Sequence, residues 1–228
     1  MNYGTKTANQ PNDVEIRSGG VVLQGDLIIP AGAQGVVLFA HGSGSSRHSP
    51  RNQFVAQTIR EGGVGTLLFD LLTREEEAVD ARTAHLRFDI GLLAERLVDA
   101  TKWIAANDEA SHLGVGYFGS STGGGAALVA AAELGDAIGA VVSRGGRPDL
   151  AGNALSKVKS PTLLLVGGLD YPVIEMNREA YAQLCCEKEL KIVPGATHLF
   201  EEPGTLAKVA HLAADWFRKH LRSETLKS

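Results

Sequence analysis

Val115-Gly116-Tyr117-Phe118-Gly119-Ser120-Ser121-Thr122-Gly123-Gly124-Gly125 decides the fold. It reads as an apolar run, then Gly-x-Ser-x-Gly, then an alanine-rich stretch from Ala126 to Leu134. That is a buried strand turning sharply into a helix, with one hydroxyl, Ser121, raised at the carboxyl end of a sheet. Glycine is needed at 119 and 123 because a Cβ at either would meet the neighbouring strand or helix. Ser120 has Phe118, not glycine, two residues before it and reads as a packing hydroxyl. Chance alone produces Gly-x-Ser-x-Gly in a chain with 27 glycines. The strand before it and the helix after it give this copy its meaning. Gly124 and Gly125 weaken the first helical turn by about 1 kcal/mol each, which close packing under the turn or plain tolerance would explain.

Outward from there, buried strands alternate with helices. Val36–Ala40, Thr66–Phe69, Ala140–Val142 and Thr162–Val166 are continuous apolar runs, as expected where both faces of a sheet are covered. Leu190–Val193 is the last strand. Helices are expected over Arg51–Glu61, with Phe54, Val55, Thr58 and Ile59 on one side, and over Arg87–Ala106, with a stripe at Ile90, Leu93, Leu97, Ala100 and Ile104. Further helices are expected over Arg178–Cys186 and Leu206–Leu221, and the acidic segment 71–82 reads as a loop with some helix. Before them, Val14–Ile16 and Val21–Ile29 are β-prone runs joined at Ser18-Gly19-Gly20, a hairpin. The pattern predicts an α/β fold: a mostly parallel sheet with helices on both faces and an antiparallel N-terminal edge. One domain over 13–222 is expected, after a flexible lead, 1–12, and before a tail, 223–228.

A serine hydroxyl is a weak nucleophile near neutral pH and needs a base held by an acid. Asp170 follows strand Thr162–Val166 through Gly167-Gly168-Leu169, and His198 follows strand Leu190–Val193 through Pro194-Gly195-Ala196-Thr197. Both lie at strand carboxyl ends, where open α/β sheets place their sites. Asp149 is a rival acid, but Asp170 stands in the better context. His85, His112, His211 and His220 fall on helices or surface loops and read as solvated. His41-Gly42-Ser43-Gly44-Ser45-Ser46 follows strand Val36–Ala40. Alone it is a flexible turn; with a triad present it is a loop supplying an oxyanion donor. The expected donors are the amides of Ser43 and Thr122, with His41 ordering the loop. Arg47, Arg51, Arg144 and Arg147 lie near strand carboxyl ends. They read either as surface salt bridges to Glu75-Glu76-Glu77 or as the lining of an anionic-substrate site, with His41, Arg47, Arg144 and Tyr171 the candidate pocket residues.

Composition narrows the class. The chain has 228 residues, 44% of them hydrophobic, and a net charge of -4. No basic patch points to nucleic acid. No run approaches the roughly 18 apolar residues of a membrane span, and the N-terminus has no apolar signal core. Cys185 and Cys186 are adjacent, so no disulfide framework is expected and helix-face packing is the plain reading. A cytoplasmic protein with a small-molecule partner follows, with no nucleic acid and no membrane; the oligomeric state is not legible.

The ordered set Ser121, Asp170, His198, with His41-Gly42-Ser43-Gly44, resembles the α/β-hydrolase superfamily. The segments His41–Pro50 and Phe69-Asp70-Leu71-Leu72-Thr73 are similar to its dienelactone-hydrolase-like branch. The resemblance runs from about Val14 to Leu221. It implies the α/β-hydrolase fold and a hydrolase of carboxylic esters or lactones with no metal and no cofactor. Dienelactone hydrolases proper carry cysteine at the nucleophile, whereas this turn carries Ser121, which favours a serine esterase. Only Ser143–Pro161 separates the strands between which larger relatives insert a lid, so no lid domain is expected. The alternatives are an acyltransferase or perhydrolase using the same serine, or a binding protein on a hydrolase scaffold.

Overall fold

The computed structural model describes residues 12–221. Residues 1–11 of the expected lead and the expected tail, 223–228, lie outside the described residues, whereas Asn12, expected in the lead, opens the first strand. The strands are β1 (Asn12–Ser18), β2 (Val21–Ile28), β3 (Gly35–Ala40), β4 (Gly65–Phe69), β5 (Gly114–Ser120), β6 (Ile138–Arg144), β7 (Thr162–Gly167) and β8 (Lys188–Val193). The helices are α1 (Pro50–Glu61), α2 (Arg74–Thr83), α3 (Ile90–Ala105), α4 (Thr122–Leu134), α5 (Tyr171–Gln183) and α6 (Thr205–His220).

The strands form one eight-stranded sheet in the order β1-β2-β4-β3-β5-β6-β7-β8. β1 pairs antiparallel with β2 and β2 with β4; every other pairing is parallel. This is the expected mixed α/β sheet with its antiparallel edge. β3 and β4 are buried along their whole length, whereas edge strand β1 alternates buried and open residues. That is the signature of a centre covered on both faces and an edge covered on one.

Alternation along each strand divides the core in two. Leu38, Leu67, Tyr117, Val141 and Leu164 face α3, α4 and α5, packing with Leu97, Ala127 and Ala180. Phe39, Leu68, Phe118, Val142 and Leu165 face α1 and α6, packing with Ile59, Val209 and Phe217. Every parallel crossover returns the chain to the same end of the sheet, so the carboxyl ends of β3, β5, β7 and β8 converge there.

Several local expectations give way. Phe54 is 43% exposed, because the buried face of α1 is Asn52, Val55, Ala56 and Ile59. The long third helix begins at Ile90, not Arg87, because the Asp89 side chain caps it by accepting from Leu92 N–H; a 3-10 turn, Leu86–Phe88, precedes it. Helix α5 begins at Tyr171, well before Arg178, and ends before both cysteines. Cys185 is exposed and Cys186 half-buried, both outside any helix, so helix-face packing does not hold. His220 is not a solvated histidine: its ring lies 4.5 Å from that of Trp216, with a side chain 9% exposed.

The acidic segment expected as a loop with some helix is helical over most of its length, as α2. It is held by a capping box in which Thr73 Oγ1 accepts from Glu76 N–H and Thr73 N–H donates to the Glu76 carboxylate. Glu76 also takes two 2.6 Å hydrogen bonds from Arg96 of α3. The Arg96 and Thr73 hydrogen bonds hold the Glu76 carboxyl below the usual carboxylate range, with burial opposing them. Between β6 and β7 stands only a short 3-10 segment, Pro148–Lys157, broken at Gly152.

Candidate active site

Ser121 sits between β5 and α4 at φ 51°, ψ -123°, a region that side chains other than glycine rarely occupy. Strain of this kind is worth about 1–3 kcal/mol and persists only where neighbours over-determine it. They do here. A Cβ on Gly123 would lie 2.1 Å from Ala40 O, and one on Gly119 would lie 2.5 Å from Gly123 O. The close approach extends to the two extra glycines: a Cβ on Gly124 would lie 2.6 Å from Ser143 Oγ, and one on Gly125 2.8 Å from Arg147 O. Packing, not tolerance, accounts for them. Ser121 O accepts from Gly124 N–H at 2.9 Å and Arg147 N–H at 3.0 Å, tying the turn to the loop after β6. Asn177 of α5 steadies that loop from behind, donating to Gly146 O at 3.1 Å; no sequence signal marks its part.

His198 and Asp170 meet, with Nδ1 2.6 Å from Oδ2. At that separation Nδ1–H donates to the carboxylate, and the Nε2 lone pair is free to accept a proton. The histidine loop is braced by Glu202, which takes hydrogen bonds from Thr197 Oγ1 at 2.6 Å and Thr197 N–H at 3.0 Å. Those bonds hold the Glu202 carboxyl below the usual range. Glu202, four residues past His198 in an ordinary polar stretch, has no sequence signature. The rival acid Asp149 is engaged elsewhere, accepting from Arg147 at 2.9 and 2.7 Å.

The His41–Ser46 loop lies against the nucleophile. A Cβ on Gly42 would stand 3.0 Å from Ser121 Cβ, so glycine there admits the contact. Ser43 Oγ and Thr122 Oγ1 are 3.2 Å apart, which brings together the two residues expected to supply oxyanion amides. His41 is 7% exposed. Its Nε2 accepts from Leu71 N–H at 3.0 Å and its Nδ1 lies 3.0 Å from Gly42 O. These two bonds fix the neutral Nδ1–H tautomer, and burial pushes the His41 pKa down. A folded-state pKa below the unfolded value means that, as pH falls below about 6.5, the unfolded chain takes up a proton that the folded chain refuses. Stability is therefore expected to fall with pH below about 6.5, by at most about 1.4 kcal/mol per pH unit from this group. Urea unfolding of the wild type and His41→Asn between pH 5 and 7 checks it: the variant's curve is flatter over that window.

The arginines resolve differently from expectation. Arg47 bonds Asp70 and stands 3.6 Å from Asp26, Arg51 bonds Glu201 at 3.3 Å, and Arg147 bonds Asp149, so none of them pairs with Glu75-Glu76-Glu77. Arg144 is buried at the end of β6. A cavity of about 590 Å³ opens beside Ser43 and Thr122, walled by His41, Arg51, Leu72 and Glu77. Of the four residues expected in a substrate pocket, His41 lines this cavity and Arg47, Arg144 and Tyr171 do not. Arg47 faces a separate depression beside Asp70, and Tyr171 is 67% exposed on the first turn of α5.

Comparison with known proteins agrees with this architecture. The profile of the dienelactone hydrolase family matches residues 23–222. A crystal structure of a dienelactone hydrolase from Anabaena variabilis is 62% identical, with a TM-score of 0.93 over 95% of this chain and 100% of that one. Est1E from Butyrivibrio proteoclasticus, 17% identical, shares the fold with a TM-score of 0.75 over 91% of this chain and 98% of its own. A Mycobacterium tuberculosis protein is 56% identical over 209 residues, and its name assigns it, provisionally, to the phosphoribosyl transferases. The match covers 92% of this chain but 46% of that protein, so the chain spans about half the length of its curated relative.

Proposed function

The chain belongs to the dienelactone hydrolase family, and from that premise we propose that it is a serine hydrolase of small carboxylic esters or lactones. The observation that carries this reading is the 2.6 Å Asp170–His198 bond, in a fold that also holds a serine in a strained strand-to-helix turn. His198 Nε2 takes the proton of Ser121 Oγ as the oxygen attacks the ester carbonyl. The tetrahedral oxyanion is held by the amides of Thr122 and Ser43, each worth about 3 kcal/mol of transition-state stabilisation. The positive end of α4 adds to that field. His198 then protonates the departing alkoxide, leaving an acyl-enzyme on Ser121. Water, deprotonated by His198, cleaves it and regenerates the serine. The alcohol of a lactone stays attached to its own acyl group, so one hydroxy acid leaves.

The short segment between β6 and β7 and the cavity of about 590 Å³ favour short acyl groups over long lipids. Free thiols at Cys185 and Cys186 suit a reducing cytoplasm. The test combines two measurements on the purified protein. A fluorophosphonate is expected to label Ser121, mapped by peptide mass spectrometry, and a series of aryl esters and lactones is expected to peak at short acyl length. An unlabelled Ser121 sinks the reading. Added methanol or peroxide reports, as a second product, any transfer to an acceptor other than water.

A further inference from the structure

Arg144 is a buried cation with no counter-charge beside it among the described residues. Arg144 is 7% exposed, and among the described residues no hydrogen bond or ion pair reaches its side chain. Its Nε and Nη1 are buried without a partner. Burial pushes its pKa down to about 10, and the charged neighbour acting on it, Arg51, is another cation. The guanidinium is therefore protonated at neutral pH.

The neighbouring groups are donors too. Ser120 is the register partner of Arg144 on β5, and in paired parallel strands both side chains point to the same face. Phe118 and Val142, two residues earlier on each strand, fix that face as the one under α1 and α6. Ser120 is 3% exposed, and its Oγ has no partner. Arg51, in the first turn of α1, keeps a buried Nε unpartnered while its Nη1 holds Glu201 at the surface. The N-cap of that helix, Ser49, makes no side-chain cap bond, so the first turn presents free amides and a partial positive charge. The orphaned acceptor in the same turn is Asn52 Oδ1, and an amide that rotates offers its NH₂ instead. A water molecule can accept from two of these donors but leaves the charge uncompensated. An anion accepts from several and neutralises it.

We propose that Arg144, Ser120 and the first turn of α1 form a binding site for a small inorganic anion of halide size, behind the nucleophile turn. Arg51 also walls the cavity beside Ser43, but Arg144 itself lines neither cavity described above, so its guanidinium suits a small free ion better than a carboxylate carried on substrate. The site is coupled to the catalytic end through the backbone. Arg144 O accepts from Ser121 N–H at 3.4 Å, and a Cβ on the next residue, Gly145, would lie 3.6 Å from His198 Cε1. An anion that pins Arg144 steadies both.

The test needs no substrate and stands apart from ester hydrolysis. Thermal unfolding is followed as chloride or bromide replaces gluconate at constant ionic strength. The wild type is expected to gain about 5 °C at a hundredfold excess over Kd. Arg144→Met is expected to lose that gain, and Ser120→Ala to raise the half-saturating concentration roughly fivefold. A bromide-soaked crystal is expected to show an anomalous peak within hydrogen-bonding distance of Arg144. Equal melting in chloride and gluconate, an unchanged gain in Arg144→Met, or a bromide map empty at Arg144 overturns the proposal. If Arg144→Met does not fold, Ser120→Ala and the bromide map still decide it. A carboxylate-bearing ester whose KM rises in Ser120→Ala, with no halide effect on the wild type, also overturns it and assigns Arg144 to substrate.

Discussion

Ser121→Ala is expected to lower kcat/KM for a short-chain aryl ester by at least about 10⁴-fold while leaving the fold intact. A loss of that size is about 5.4 kcal/mol of transition-state stabilisation. The figure is large because the hydroxyl is the group that forms the covalent bond; without it His198 has no proton to take. Some rate above water remains, because the Thr122 and Ser43 amides still polarise a bound carbonyl. The fold survives because φ 51° at this position is imposed by Gly119 and Gly123, not by the serine oxygen. Alanine inherits the same strained backbone. Ser121→Gly relieves it and is expected to be more stable than Ser121→Ala by roughly 1 kcal/mol. Steady-state kinetics and urea unfolding of the two variants measure both halves. Activity within tenfold of wild type in Ser121→Ala would mean that another group is the nucleophile.

How much of this was legible in the sequence depends on what holds each part. The buried strands announce themselves because a run such as Val36-Val37-Leu38-Phe39-Ala40 is stable only with both faces covered. Ser121, Asp170 and His198 stand out because strand carboxyl ends are few and the three chemistries fall on three of them. Helix α2 was legible only as some helix within a loop. Asp80 is its buried residue, so it has no apolar stripe, and its stability comes from the Thr73–Glu76 box and from Arg96. The box is a sequence signal, Thr73-Arg74-Glu75-Glu76, that reading for hydrophobic period passes over. The early start of α5 was hidden because Pro172 after Asp170 suggests a loop, although proline is favoured in a first helical turn. The arginines could not be sorted at all. Whether Arg147 finds Asp149 while Arg144 finds no protein partner depends on the path of the loop after β6 and on which groups of α1 come to lie over the strand end, and no spacing encodes that.

Asp170→Asn is expected to lower kcat by about 10⁴-fold with little change in stability. Asp170 Oδ2 lies 2.6 Å from His198 Nδ1 and requires the proton to sit there. An asparagine in the same place turns its NH₂ toward the ring and makes Nδ1 the acceptor. The proton moves to Nε2, and the imidazole then faces Ser121 with a donor where an acceptor is needed. The carboxylate's second contribution, stabilising the imidazolium formed during attack, is lost in the same substitution. Asp149→Asn is the discriminating partner experiment. Asp149 bonds Arg147 with both side chains about 30% exposed, and a pair in that environment contributes at most about 1 kcal/mol. The loop's tie to the nucleophile turn is the backbone bond from Arg147 N–H to Ser121 O, which this substitution leaves in place. Asp149→Asn is therefore expected to keep kcat within about threefold of wild type. The reverse pattern, a 10⁴-fold loss at Asp149 and near-normal turnover at Asp170, would move the acid of the triad from β7 to β6.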